Sequence, residues 1–212
     1  PSANFRIFIA EAGKFATPDQ IVIHGIKGLE KDTCKRMSQI VSEETPVLRI
    51  GALSGPNLAH ELAAGLPGAS IIASRFNEVI EIGREALRSD KLRIDGSKDL
   101  NGVEWCGALK NILALAAGFV DSMELGKNAL AMVLTQGILE IQDLLKVLSA
   151  DPITLLSLAG IGDIFATCTS PKSRNFGAGV LLAKGHQASE IQSKLKMVVE
   201  GFNTTQVAHE IS

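Results

Sequence analysis

Lys110 and Asn111 interrupt the run GVEWCGALKNILALAAGFV, residues 102–120, which is otherwise apolar on nearly every side when wound as a helix. A helix apolar all round is a buried helix, so the pattern carries an ammonium and an amide into a core. Gly107, Ala114 and Ala117 share the Lys110 face and are small, which leaves room beside the nitrogen for a ligand or another backbone. A lone buried ammonium is costly. Such a lysine therefore snorkels to solvent, pairs with a carboxylate, or serves as an acid or base with a lowered pKa. Trp105 and Cys106, on the same helix, read as core.

A second cluster of donors stands at residues 158–175, LAGIGDIFATCTSPKSRN, a stretch without helix or strand periodicity that reads as a long functional loop. Asp163 within it can hold a neighbouring lysine or arginine. Arg174 offers a planar fork to phosphate or carboxylate, flanked by the donors Ser173 and Asn175 at the start of the helix FGAGVLLAKG, where the helix dipole favours anions. The plainer alternative is that Ser173 caps that helix and Arg174 is solvated.

These groups need a scaffold. Up to about residue 96, short apolar runs alternate with amphipathic segments: strands at Gln20–Ile26, Val47–Ala52, Ala69–Ala73 and Leu92–Ile94, and helices at Asn4–Gly13, Lys31–Ser42, Asn57–Ala64 and Asn77–Arg88. This alternation predicts an α/β fold with a parallel sheet covered by helices. Beyond Asp99 nothing reads as a strand. Long helices at Leu100–Ser122 and Lys127–Leu148, and shorter ones at Ile153–Leu158, Arg174–Lys184, Ala188–Lys194 and Thr204–Ile211, predict an all-α second part.

Ligands of an open parallel sheet meet the carboxyl ends of its strands. Lys27-Gly28 follows the run IVIHGI there, and Ser54-Gly55-Pro56-Asn57 follows VLRIGAL and opens the helix LAHELAA. Each is either a ligand contact or an ordinary strand-to-helix turn.

The net charge of −2, from 21 basic and 23 acidic residues among 212, supplies no field to collect nucleic acid or an anionic membrane, so any anion needs a local site. Cys34, Cys106 and Cys168 lack disulfide or zinc spacing and fit a reducing, cytoplasmic setting. The four histidines, His24, His60, His186 and His209, have no companions at metal-ligand or triad spacing. The unbroken apolar run Ile112–Val120 is too short to span a bilayer, PSANFR lacks the features of a signal peptide, and the chain reads as free of stable membrane insertion. Its first residues already read as mid-helix, as in a fragment or processed chain.

Six blocks, KGLE at 27–30, SGPNLAHELAAGLP at 54–67, GALKNILALAAG at 107–118, GKNALAMVLTQG at 126–137, LAGIGDIFATCTSPKSRNFG at 158–177 and VVEGFNTT at 198–205, resemble the NAD(P)-dependent glycerol-3-phosphate dehydrogenases in order and spacing. The likeness extends over essentially the whole chain and is greatest to the bacterial enzymes. It implies part of a Rossmann-type nucleotide domain at residues 1–96 and a helical substrate domain at 97–212, with the active site between them. The implied reaction is reversible hydride transfer between NADH or NADPH and C2 of dihydroxyacetone phosphate, giving sn-glycerol 3-phosphate for phospholipid synthesis.

By this resemblance Lys110 is the acid/base at the C2 oxygen, Lys27 a second cation that lowers its pKa, and Asp163 the group that orients both. Gly55, Asn57, Asn111 and Thr167 fall to the substrate, as do Ser173, Arg174 and Asn175 at its phosphate. Lys27, Ala59, Arg174, Val198 and Glu200 fall to the cofactor, and no metal is implied.

Three departures stand out: no G-x-G-x-x-G segment occurs in the chain, Gln136 replaces an arginine of the family's T-R-G motif, and Ser122 replaces a glycine. The competing readings are another dehydrogenase acting on a sugar acid or hydroxy acid, and a non-catalytic remnant kept for dimerisation or ligand sensing. The buried helices suit a homodimer and a monomer's core equally.

Overall fold

The computed structural model describes residues 1–195 and 197–211. In chain order the elements are α1 (Phe5–Gly13), β1 (Ile21–His24), α2 (Met37–Glu44), β2 (Arg49–Ser54), α3 (Ala59–Ala63), β3 (Gly68–Ser74), α4 (Asn77–Leu87) and β4 (Leu92–Ser97). The helices α5 (Leu100–Ser122), α6 (Gly126–Val147), α7 (Asp163–Cys168), α8 (Arg174–Ala183), α9 (Ala188–Leu195) and α10 (Glu200–Ile211) follow. An α/β part thus precedes a helical one, as the alternation of patterns predicts.

The four strands lie in the order β1-β2-β3-β4. β1 pairs with β2 and β3 with β4 in parallel, with Val22 opposite Ile50 and Ser70 opposite Ile94, whereas β2 and β3 run antiparallel with Ala52 opposite Ala73. The sheet is therefore mixed rather than wholly parallel. A parallel pair needs a crossover that carries the chain back over one face. The connection between β2 and β3 holds only the five-residue α3, none of whose residues is buried, so no helix covers that step and the chain turns straight back.

Other elements also differ from the sequence pattern: the helix read at Ile153–Leu158 is a short 3-10 turn over Pro152–Leu156, and the last helix begins at Glu200 rather than Thr204. The helix read from Lys31 starts at Met37, because Cys34 takes a positive φ of 55° and Leu29 bridges to Arg36 across the preceding turn. The stretch read as a loop from 158 is helical: a π-helical turn at Leu158–Gly162 runs directly into α7. Its two glycines and small residues blur the apolar period, and π turns of this kind recur at functional sites.

α5 is the axis of the molecule. Asp99 caps it by accepting from Gly102 N at 2.9 Å, and its carboxylate also accepts from Asp151 N and Thr154 Oγ1, tying the helix start to the segment before the π turn. Of its 23 residues, 17 are buried, among them Trp105 and Cys106. By length and composition α5 alone among the described helices would reach across a bilayer, but its apolar faces are covered by protein. Leu145, Leu155, Ile164, Phe176 and Val207 pack around its Leu109 and Leu113. α8 crosses it at backbone contact, through Gly118 and Gly179.

Candidate active site

The burial of α5 carries Lys110 with it, leaving the residue 6% exposed. Its Nζ donates to Asp163 Oδ1 and to Thr167 Oγ1, each at 2.7 Å. Asp163 and Thr167 are one turn apart on α7, and the hydroxyl also reaches Asp163 Oδ1 at 3.2 Å. Lys27, three residues beyond β1, approaches from the sheet side: its Nζ donates to Asp163 Oδ2 at 2.7 Å and to the Gly55 carbonyl at 2.7 Å. Gly55 has φ 123°, a region that L side chains rarely adopt, so glycine is what lets the loop after β2 turn its carbonyl to this ammonium.

Two cations thus share one carboxylate that is 2% exposed. Burial pushes the Lys110 pKa down; the Asp163 charge opposes that and the Lys27 charge adds to it, and the net direction is below the ordinary lysine value. The cluster carries a surplus positive charge in a dry setting, which suits an anion or a developing oxyanion beside it. Cys106 and Cys168 lie close by, and burial pushes both thiols up to about 12, so neither is a nucleophile at neutral pH.

The amides of Asn111 and Asn175 form the floor. Asn111 donates to the Lys27 carbonyl at 2.9 Å and accepts from Asn175 at 2.8 Å, and Asn175 accepts from Gly201 N at 2.9 Å. α5 and α8, through these side chains, and α10, through the Gly201 backbone N–H, are thereby joined to the Lys27 loop. Asn57 accepts from Ser70 Oγ at 2.9 Å, which ties the 54–57 loop to β3.

Ser173 caps α8, with Phe176 N donating to its hydroxyl at 3.4 Å. Arg174, the first residue of α8, is exposed, and its guanidinium has no hydrogen bond or ion pair among the described residues. It projects from a helix N-terminus that is itself electropositive.

Of the remaining positions, Ala59 is exposed at the start of α3 and Val198 is exposed between α9 and α10. Glu200 opens α10 and accepts from Ser2 N at 2.9 Å and Ser2 Oγ at 2.5 Å, with its carboxylate against Gly28. It therefore stands beside the Lys27 loop. Gln136 lies on the exposed side of α6 and donates to Glu140 at 3.0 Å, making no hydrogen bond to the lysine cluster.

Sequence reasoning missed a buried group next to this site. Glu104, two turns before Lys110 on α5, binds Arg36 and Ser38 and faces His24. An acid in the middle of an apolar run was the available signal. Among the described residues, no group of three His, Cys, Asp or Glu side chains comes together as a metal would need.

The arrangement fits the reacting end of a nicotinamide dinucleotide, where a charged donor set faces the reacting carbon. It does not fit the pyrophosphate, for which the 212 residues hold no G-x-G-x-x-G cradle.

Comparison with known proteins gives two family matches. The family model described as the C-terminus of NAD-dependent glycerol-3-phosphate dehydrogenase matches residues 99–212, and the one described as its N-terminus matches residues 1–80. An NAD(P)+ glycerol-3-phosphate dehydrogenase of Desulfitobacterium hafniense is 40% identical over 212 residues, all of this chain and 60% of its own length. One of Macrococcus caseolyticus is 41% identical over 215 residues, with 65% of its length covered. The chain thus spans about three fifths of these relatives.

Among solved structures, glycerol-3-phosphate dehydrogenase from Coxiella burnetii superimposes with a TM-score of 0.94 at 34% identity, covering 100% of this chain and 65% of that one. The yeast enzyme, at 24% identity and a TM-score of 0.85 over 98% of this chain and 63% of its own, shares the fold.

Proposed function

The chain belongs to the NAD-dependent glycerol-3-phosphate dehydrogenase family, and from that premise we propose that it supplies the substrate pocket of an enzyme reducing dihydroxyacetone phosphate reversibly to sn-glycerol 3-phosphate. The observation that carries this reading is the pair of ammonium groups held on one buried carboxylate.

When bound, NADH or NADPH supplies the hydride to C2. Lys110 delivers a proton to the C2 oxygen as negative charge develops there, and takes it back in the reverse direction. Its lowered pKa makes that exchange easier near neutral pH. Lys27 polarises the same oxygen, and Asp163 with Thr167 fixes the direction in which Lys110 points. Arg174 and the start of α8 hold the phosphate, whose binding energy orients the distant carbonyl. Asn57 and Gly55 line the sheet side of the pocket. Ala59, Val198 and Glu200 border the cofactor, and residues 1–96 and 97–212 are its nucleotide and substrate parts. The product serves phospholipid synthesis. The cytoplasm is the fitting compartment, since all three cysteines are free thiols.

The test follows NADH and NADPH oxidation with dihydroxyacetone phosphate in the protein joined to a G-x-G-x-x-G nucleotide-binding segment, beside the Lys110→Ala variant. Turnover lost in the variant, with the circular dichroism spectrum kept, supports the reading. Absence of turnover in the extended protein, or oxidation driven only by unphosphorylated hydroxy acids or sugar acids, overturns it.

A further inference from the structure

A single carboxylate on α5 gathers groups from both β1 and α2. Glu104 Oε1 accepts from Ser38 N at 2.8 Å and stands 3.1 Å from His24 Nε2, a contact whose angles fall outside hydrogen-bond geometry. Its Oε2 accepts from Arg36 Nη1 at 2.5 Å and Ser38 Oγ at 2.5 Å. Glu104 and His24 are both almost fully buried. Burial alone would raise the Glu104 pKa; the contact with His24, the charge of Arg36 and the Ser38 bond overcome it, and the group stays ionised below the ordinary carboxylate range.

Glu104 does not stand alone on its face. Glu104, Gly107 and Asn111 are spaced i, i+3, i+7, one stripe of α5 about 10 Å long at a rise of about 1.5 Å per residue. His24 to Lys27 is three residues, also about 10 Å when extended. The two lengths match, and the contacts fall in order. Glu104 faces His24 at one end; in the middle, a Cβ on Gly107 would stand 3.5 Å from Lys27 Cγ; at the other end Asn111 holds the Lys27 carbonyl.

We propose that Glu104 is a positioning residue: with His24, Arg36 and Ser38 it registers the His24–Lys27 segment along α5 and so sets where the Lys27 ammonium stands against Asp163. The consequence for catalysis rests on the proposed function of Lys27 and Lys110, whereas the positional claim does not. If Glu104 lets go, Lys27 retreats from Asp163, and Lys110 faces that carboxylate with less competition. The charged and titratable groups facing Lys110 are Asp163 and Cys168 on α7 and Lys27 beyond β1. Losing Lys27 from this set raises the Lys110 pKa, while losing the Glu104 charge by itself acts the other way, so the direction is diagnostic.

The experiment labels the chain with lysine carrying 13C at Cε and follows the Lys110 resonance, assigned with Lys110→Arg, against pH in the wild-type protein and in Glu104→Gln. An upward shift of about one pH unit supports the proposal. A folded Glu104→Gln whose Lys110 titrates as in wild type, or lower, overturns it, even where the variant melts earlier, since a purely structural role lowers stability without moving Lys110. Should Glu104→Gln not fold, His24→Ala is read in the same way, with the same two outcomes. The titration is readable whether or not the chain turns over substrate, so failure of the proposed function is seen separately.

Discussion

Lys27 and Lys110 hold opposite oxygens of Asp163, each ammonium 2.7 Å from its own oxygen, although 83 residues separate the two lysines and they arrive from different layers of the fold. Neither lysine has a carboxylate to itself. The pair is held together by a group that neutralises only half of it, and this imbalance makes the site receptive to negative charge on a substrate.

Replacing Asp163 with Asn keeps the shape and removes the charge. Two cations then face each other without compensation, and breaking a buried pair from one side costs about 3–5 kcal/mol. Lys110→Met in the same protein relieves the repulsion, so the double variant should recover a large part of the loss. Urea unfolding of the wild type, both single variants and the double variant measures the coupling. Strictly additive costs would show that the shared charge is not what holds the cluster.

The Lys110 pKa, depressed first by burial and next by the Lys27 charge against the opposing pull of Asp163, has a pH signature. Between the lowered folded value and the ordinary 10.5, the unfolded chain keeps the proton that the folded one has lost. The unfolded state then binds more protons, so stability from this residue rises with pH through that window and is constant below it. Cys106 and Cys168, held neutral up to about 12, act in the opposite sense as their unfolded thiols ionise. The urea midpoint of wild type minus that of Lys110→Met, both carrying Cys168→Ala, should therefore climb as pH approaches 10.5. A flat difference would mean Lys110 titrates normally.

Much of this was legible along the chain. α5 announced itself because residues 102–120 are apolar on nearly every side and such a surface has no other stable place, and 17 of its 23 residues are indeed buried; Lys110 stood out against it for the same reason. The donors at 173–175 were legible through their place at a helix start. The strand directions were not, since alternation of apolar residues is the same whichever way a strand runs; the outcome turned on α3 being too short and too exposed to cross the sheet. The Lys27–Asp163 contact, which spans 136 positions and joins the loop after β1 to α7, was expected only through the family resemblance, since no local pattern carries it. Glu104 was not legible, because its partners at 24, 36 and 38 come near only when β1 and α2 reach the start of α5.

The crossing of α5 and α8 depends on two missing side chains. A Cβ on Gly118 would stand 2.0 Å from the Phe176 carbonyl oxygen, and one on Gly179 would stand 2.0 Å from that of Leu115. Both obstacles are backbone and cannot rotate away. Gly118→Ala and Gly179→Ala should each cost about 1–3 kcal/mol or more, as overpacking does. Gly177 is the internal control: it lies on α8 with nothing within 4 Å of an added Cβ, so Gly177→Ala should be stabilising by up to about 1 kcal/mol. Thermal unfolding of the three variants decides, and equal effects at all three positions would refute the crossing.

Arg174 is exposed and makes no side-chain contact among the described residues, so the fold gains little from its charge. Arg174→Ala should leave the melting temperature unchanged while raising KM for dihydroxyacetone phosphate about 10- to 100-fold, the worth of a charge-assisted hydrogen bond of about 1.5–3 kcal/mol. kcat should change far less, because Lys110 and Lys27 are untouched. Arg174→Lys should recover only part of the loss, since a point charge cannot grip two oxygens in the plane of a fork. Steady-state kinetics on the three proteins tests this. An unchanged KM in Arg174→Ala would remove Arg174 from the phosphate grip, and a lowered melting temperature would show that its guanidinium is bound within the fold.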